Sequence, residues 1–401
     1  MRSQPAHRPG EGTLAVHGGG SYPHAHHALT VPIVETATYT FRDTADLVDF
    51  MDARLWQGSR TRTEYGRYGN PTVAATEAKI AALDGAEQSL LYASGMAAVT
   101  TVLLSMLRAS NHMIITDDAY RRTRQFCKNF LSRFGISCSV VQMGDYEAIE
   151  AAITPDTRLI VSESPTNPYL RVLDLERLAQ IGRRHKVRTL IDSTFATPIN
   201  QRPLEFGIDL VLHSATKYLS GHNDMLAGVV SGAADLIEGL RQQLWVMGAV
   251  VNPHAAYLLL RGLKTLALRV ARQNENGMRV SAFLEQNAKI ERVWYPGLPS
   301  HPDHEIAARQ MTGFGGVISF EVRGDLKAAS RLVDAVRIPL IAPSLGGVES
   351  LIEQPALMSY YEQSTAERLS VGIKDNLVRM ALGIEDAADL IADLEQALAA
   401  V

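Results

Sequence analysis

Residues 209–217 read DLVLHSATK, an apolar run that ends in small hydroxyl residues and is followed at once by a lysine. Lys217 is either an ordinary solvated side chain behind a strand or an amine held ready for chemistry. Five comparable runs precede it, SLLYAS (89–94), HMIITD (112–117), CSVVQM (138–143), RLIVSES (158–164) and RTLIDS (188–193), with helical stretches between them. Short β-rich runs alternating with helices predict an α/β fold with a mainly parallel central sheet covered by helices on both faces. In such sheets the ligand lies beyond the carboxyl ends of the strands. The residues closing these runs, Ser94, Asp117, Glu163, Asp192 and Ser214, are therefore expected to converge on one crevice.

The chain has 401 residues, 46% hydrophobic and 20% charged, enough to bury a large core with one or two attached units. Thirty-nine Lys and Arg against 43 Asp and Glu give a formal net charge of -4, and no block of like charge points to nucleic acid or a membrane surface. Cys127 and Cys138 stand in no metal-binding spacing, so two free thiols in a reducing compartment are expected. The opening MRSQPAHRPGEGTLAVHGGG lacks the apolar core of a signal peptide, and no run is long enough to span a bilayer, so a cytoplasmic protein is expected.

Residues 1–60, rich in His, Gly and Pro, are read as an arm, with a short helix in DTADLVDFMDARL. His24, His26 and His27 lack a partner cysteine or carboxylate spacing, and no metal is expected. Residues 61–255 would form the main unit. Asn252-Pro253, a cap followed by a first-turn proline, opens what is read as one long helix leading into a smaller α+β unit, 256–401. GGVISFEVRG supplies a strand there. Leu390, Ile391, Leu394 and Leu398 share one face of a closing helix.

Three further stretches accompany Lys217. In YASGMAAVTTVLLSML a strand runs through Ser94-Gly95 into a helix, a junction whose amides suit an anion such as phosphate, although alone it could be a plain turn. TLIDSTFATP sets Asp192 at the end of an apolar strand, where a carboxylate needs a partner, either an arginine or a protonated cofactor nitrogen. TEYGRYGNPTV offers Tyr65 and Arg67, a phenol and a guanidinium suited to phosphate oxygens, or an exposed turn. Together with Lys217 these are the parts of a pyridoxal phosphate site, in which Lys217 would hold the cofactor as a Schiff base. GFGG at 313–316 leads into a strand, so it is no dinucleotide loop.

With these residues in place, the chain resembles the Cys/Met-metabolism family of pyridoxal phosphate enzymes. The motifs YGRYGNPT, SGMAA, ESPTNP, DSTFATP, SATKY, RGLKTL, GFGG, SLGGVES and LVRMALGIED appear in order from about Thr30 to the C-terminus. DDAYRRTRQF, GHNDMLAG and IEQPALMSYYEQ are most similar to the plant-type cystathionine γ-synthase branch, whose sisters include γ-lyases, β-lyases and sulfhydrylases. The resemblance implies a fold type I, aspartate-aminotransferase-like architecture. It implies γ-replacement on an activated L-homoserine ester by L-cysteine to give L-cystathionine. The alternatives are elimination to 2-oxobutyrate, an unusual nucleophile in natural-product biosynthesis, and a silent binding protein.

Carried over by motif, the resemblance implies that Lys217 binds the cofactor and acts as base, Asp192 pairs with the ring nitrogen and Tyr120 stacks on the ring. Gly95, Met96, Ser214 and Thr216 would hold the phosphate, with Tyr65 and Arg67 reaching it from a neighbouring subunit of a homotetramer built from active dimers, a subunit that the 1–60 arm would also contact. Arg379 would grip the substrate α-carboxylate, and Asn167 and Ser344 would orient cofactor and substrate. Two arginines, Arg121 and Arg122, replace glycines common in the family; they would meet an anionic leaving group, or else face solvent or a neighbouring subunit. Glu349 would contact a distal amine or cap a following helix.

Overall fold

The computed structural model describes residues 9–20, 24–56, 58 and 62–401. The reading of the opening segment as leaderless, and parts of the 1–60 arm, fall on residues outside that set. Seven strands form the first sheet: β1 (Gln88–Tyr92), β2 (His112–Thr116), β3 (Ser137–Val141), β4 (Thr157–Glu163), β5 (Arg188–Asp192), β6 (Leu210–His213) and β7 (Gly228–Gly232). Their order is β1-β7-β6-β5-β4-β2-β3. The pairings from β3 through β6 are parallel, whereas β7 runs antiparallel to both β1 and β6. All six expected strands are present, displaced at their ends by a residue or two. β7 was not anticipated, because GVVSG is five residues long with glycine at both ends and reads as a turn.

Burial follows the pattern such a sheet requires. β2, β6 and β7 are buried at every position, as strands covered by helices on both faces must be. One apolar cluster, including Leu90, Val102, Leu103, Leu159 and Leu212, fills one side, and another, including Ile114, Ile160, Leu178 and Ile191, fills the opposite one.

The second sheet contains β8 (Ile290–Trp294), β9 (Val317–Val322), β10 (Leu340–Ile341), β11 (Leu351–Glu353) and β12 (Leu377–Ala381), in the order β10-β11-β12-β9-β8. Only β10 and β11 pair in parallel. The closing helix, Ala387–Leu398, buries Leu390, Leu394 and Leu398, with Ile391 at the margin.

One local reading is corrected. The segment after Asn252 is two helices, Pro253–Leu263 and Leu266–Glu285, broken at Thr265. Just before the break Gly262 packs on the Ser220 carbonyl so closely that an added Cβ would lie 2.3 Å from its oxygen. The Asn252 cap holds, its side chain accepting the His254 amide at 2.8 Å. Within the arm, Glu11–His17 is a helix docked on its own chain: Glu11 pairs with Arg202, and Lys79 donates to the Val16 and Gly18 carbonyls. Among the described residues no helix is long and apolar enough to cross a membrane.

Candidate functional site

Strand pairing creates the floor of the crevice. In the β4–β5 register Glu163 lies beside Asp192, so two carboxyl groups end adjacent strands. Glu163 Oε2 accepts the Tyr120 amide at 2.8 Å, which fixes the residue that opens the helix Arg121–Asn129. Tyr120 itself is 44% exposed rather than packed in the core. Both hydrogen bonds to Asp192, from the Thr194 amide (3.1 Å) and hydroxyl (2.5 Å), fall on Oδ1, and among the described residues nothing bonds Oδ2. Burial pushes the Asp192 carboxyl up, against the two Thr194 bonds. Glu163 is pushed well above the usual carboxylate range, by burial and then by the facing Asp192 and Asp118.

Thr194 ties this floor to the lysine segment: its hydroxyl also accepts the Ser214 amide at 2.8 Å. Across from Ser214, Ser94 caps the helix Gly95–Met106 by accepting the Ala97 amide. That leaves the amides of Gly95 and Met96 without an acceptor among the described residues, at the positive end of a helix. Gly95 is tightly placed, since an added Cβ would sit 3.0 Å from the Ser214 Cβ and 3.1 Å from its Oγ. Thr216, by contrast, spends its hydroxyl on the backbone of Ala227.

Lys217 reaches the second sheet. Its Nζ donates to Ser344 Oγ at 2.7 Å, and the Ser344 carbonyl accepts from Arg379 Nη2 at 2.9 Å. Arg379 Nη1 donates to Asn167 Oδ1 at 3.0 Å. Burial lowers the Lys217 pKa to about 8, with the nearby Arg379 adding to the effect and Glu353 opposing it. Ser344 holds this junction at φ +96°, a conformation that costs a non-glycine residue about 1–3 kcal/mol and concentrates at functional sites.

Of the five strand-ending residues, Ser94, Glu163, Asp192 and Ser214 gather here, while Asp117 turns aside to accept the Met143 amide. Tyr65 and Arg67 lie on Tyr68 and Trp245, and Arg67 donates to the Trp245 carbonyl. Arg122 is exposed and bonds Gln125 within its own helix, whereas Arg121 stands over the Tyr360 ring at 5.9 Å. Glu349 is exposed and accepts from Asn223 at 2.8 Å; a strand, β11, follows it, so it caps no helix.

Two residues escaped the sequence reading. Glu353, 3% exposed, is the β11 register partner of Arg379 and pairs with its Nη2 at 2.9 Å. Asp118 is half-buried with both carboxyl oxygens enclosed, and burial raises it to about 7, against the lowering effect of the nearby Thr166. Glu353 had a signal, a charge inside the apolar LIEQPAL; Asp118 had none beyond its neighbour Asp117.

An amine of lowered pKa, a strand-end carboxylate with one oxygen left unbonded and a nest of free amides on a doubly wound sheet define a pyridoxal phosphate enzyme of fold type I. The family model described as Cys/Met metabolism PLP-dependent enzyme matches residues 12–399, and the chain belongs to that family, with pyridoxal phosphate as its cofactor. It is 49% identical to cystathionine gamma-synthase 1, chloroplastic, of Arabidopsis thaliana, over 98% of this chain and 69% of the relative. It is 41% identical to L-methionine gamma-lyase of Pseudomonas putida, over 98% of both. The crystal structure of metB from Corynebacterium glutamicum superposes with a TM-score of 0.90 at 36% identity, covering 98% of each chain.

Proposed function

We propose that the chain catalyses γ-replacement, joining an activated L-homoserine ester to L-cysteine to give L-cystathionine. The observation that carries this reading is the convergence of Lys217 and Arg379 on Ser344, which sets a basic amine beside a carboxylate grip. The cystathionine gamma-synthase relative supports the choice of substrates.

The residues present fit the cofactor. Asp192 keeps an unbonded oxygen for a ring nitrogen, the Gly95 and Met96 amides and the Ser214 hydroxyl suit its phosphate, and a side chain at Gly95 would crowd Ser214. When bound, pyridoxal phosphate supplies an electron sink conjugated to the substrate Cα. Lys217 would hold it and then, released, take the Cα proton, since an amine titrating near 8 is a competent base close to neutrality. Tyr120 would cover the ring, held in place through its backbone by Glu163.

Arg379 would take the α-carboxylate, a planar fork suited to two oxygens, with Asn167 and Ser344 aligning it. A Cβ proton is lost as the Cγ ester group departs as an anion; the cysteine sulfur, giving up its thiol proton, bonds to Cγ in its place, and protons return to Cβ and Cα, so that the net change is thiol and ester to thioether and free acid. Arg121, Arg122 and the exposed Glu349 are assigned to the outer part of the crevice, where the leaving anion and a distal amine would meet them.

The same reading divides the chain into an arm (1–60), a cofactor-binding unit (61–255) and a smaller unit (256–401). It makes a dimer the smallest active assembly within a homotetramer, with Tyr65 and Arg67 serving the neighbouring subunit. Two free thiols fit a reducing compartment, here the cytoplasm.

The test is product analysis by mass spectrometry with phospho-, succinyl- and acetyl-homoserine, with and without L-cysteine. Cystathionine as the main product is expected. Dominant 2-oxobutyrate in the presence of cysteine would instead favour the elimination reading, for which the L-methionine gamma-lyase relative speaks.

A further inference from the structure

Below the crevice, toward the antiparallel edge of the first sheet, four buried polar side chains form a row. His213 Nδ1 lies 3.2 Å from the Ser193 carbonyl oxygen, and its Nε2 lies 3.0 Å from Asp84 Oδ1. Asp84 Oδ2 accepts the Ser231 hydroxyl at 2.5 Å, and the Ser231 and Ser89 hydroxyls are 2.7 Å apart. The His213 and Asp84 side chains are each 1% exposed. A buried ion pair is seldom worth more to stability than well-packed apolar side chains. Its position is therefore the informative feature.

That position is beside Asp192. β5 and β6 are register partners through Asp192 and Leu212, and the Ser193 amide donates to the Leu212 carbonyl at 2.8 Å, so the ends of the two strands are joined rigidly. A neutral imidazole has one N–H and would leave one of its two acceptors facing a lone pair; the imidazolium satisfies both. Burial lowers the proton affinity of His213, but Asp84, with Asp192 contributing, more than offsets this, and the net shift is upward. The charged groups facing His213 are thus Asp84, at the end of the helix Pro71–Asp84, and Asp192 on β5. Asp192 has His213 on its β6 side and Glu163 on its β4 side.

We propose that His213, kept as an imidazolium by Asp84, is a positioning residue that holds Asp192 in its ionised form and so keeps the proton on the nitrogen of the bound pyridine ring. This rests on Asp192 being the carboxylate that faces that nitrogen. Without the imidazolium, Asp192 loses the charge that opposes its burial and competes with the ring for the proton.

The test compares His213→Gln, Asp84→Asn and the double variant as holoenzymes. The readouts are the midpoint of the pH-dependent absorbance change of the bound cofactor, cofactor retention on ultrafiltration, kcat and KM, and thermal unfolding. His213→Gln removes the positive charge beside Asp192, and Asp84→Asn removes the carboxylate that keeps that charge on His213; losing it favours protonated forms, so each single variant should move the midpoint to higher pH by about one unit, a tenfold change in proton affinity. Each should also lower kcat more than it raises KM, and the double variant should exceed neither. Lowered thermal stability with an unchanged midpoint would mean a purely structural pair and overturn the proposal. Asp192→Asn, run in parallel, separates the two levels. If it leaves midpoint and retention unchanged, the reading of Asp192 fails; if it alone shifts them, only the role of His213 fails. Should the variants not fold, nitrogen NMR on wild-type holoenzyme labelled at its 12 histidines decides: one imidazole still doubly protonated at about pH 9 supports the assignment, and none overturns it.

Discussion

Lys217 is made reactive by where its amine is held. Burial and the Arg379 guanidinium both penalise the ammonium form, and Ser344 orients what remains. In protein stripped of its cofactor, an amine-selective reagent should label Lys217 with a midpoint near pH 8, against about 10.4 for a free lysine. A midpoint near 10, followed by peptide mapping, would mean that the amine is solvated and the site open. Lys217→Ala should remove both turnover and the covalently held cofactor band. The residues singled out from local sequence, Lys217, Asp192 and Gly95, are those whose chemistry shows there, a polar group at the end of an apolar run or a glycine where a helix begins, whereas Arg379, inside the strand Leu377–Ala381, was named only through the family resemblance. The strained φ of Ser344 and the pairing of Glu353 with Arg379 depend on contacts between distant segments, and no local pattern carries them.

At the scale of elements, the site hangs on two strand registers, Glu163 with Asp192 in the first sheet and Glu353 with Arg379 in the second. Strands β1 to β6 were legible because continuous apolar runs alternate with helices. The antiparallel β7, whose end glycines pack closely on neighbouring backbone, and the break at Thr265 were not, since neither interrupts the apolar periodicity. Glu353 holds the buried Arg379 from behind, and removing one member of such a pair leaves an uncompensated charge. Glu353→Ala should therefore cost about 3–5 kcal/mol of stability, seen as a lower denaturant midpoint, and should raise KM for the amino acid substrate. Stability within about 0.5 kcal/mol of wild type would show that Arg379 does not depend on this pair. Gly346 is the other constraint, at φ +77° with room for a Cβ only 2.6 Å from the Tyr218 amide nitrogen. It fixes the turn that brings Ser344 to Lys217.

At the scale of the whole molecule, one chain holds the amine, the carboxylate and the nest of free amides, while Tyr65 packs on Tyr68 and Arg67 donates to the Trp245 carbonyl of its own chain. A guanidinium stacked on two tyrosine rings at the foot of the arm, 5.6 and 4.9 Å from their centroids, is well placed to be presented outward by one subunit to another. If the site is shared in this way, two inactive variants can repair each other. Lys217→Ala and Arg67→Ala subunits should each be nearly inactive alone. In a mixed dimer, the crevice of the Arg67→Ala chain keeps its lysine and receives a native arginine from its partner. Random pairing from equal co-expression makes about half of all dimers mixed, each with one native site of two, so activity should return to about a quarter of wild type. Recovery no greater than the mean of the two parent variants would place Arg67 in its own subunit's site or outside any site. Sedimentation of the purified mixture must show dimers or larger assemblies in the same sample, because complementation requires that the two chains share an interface.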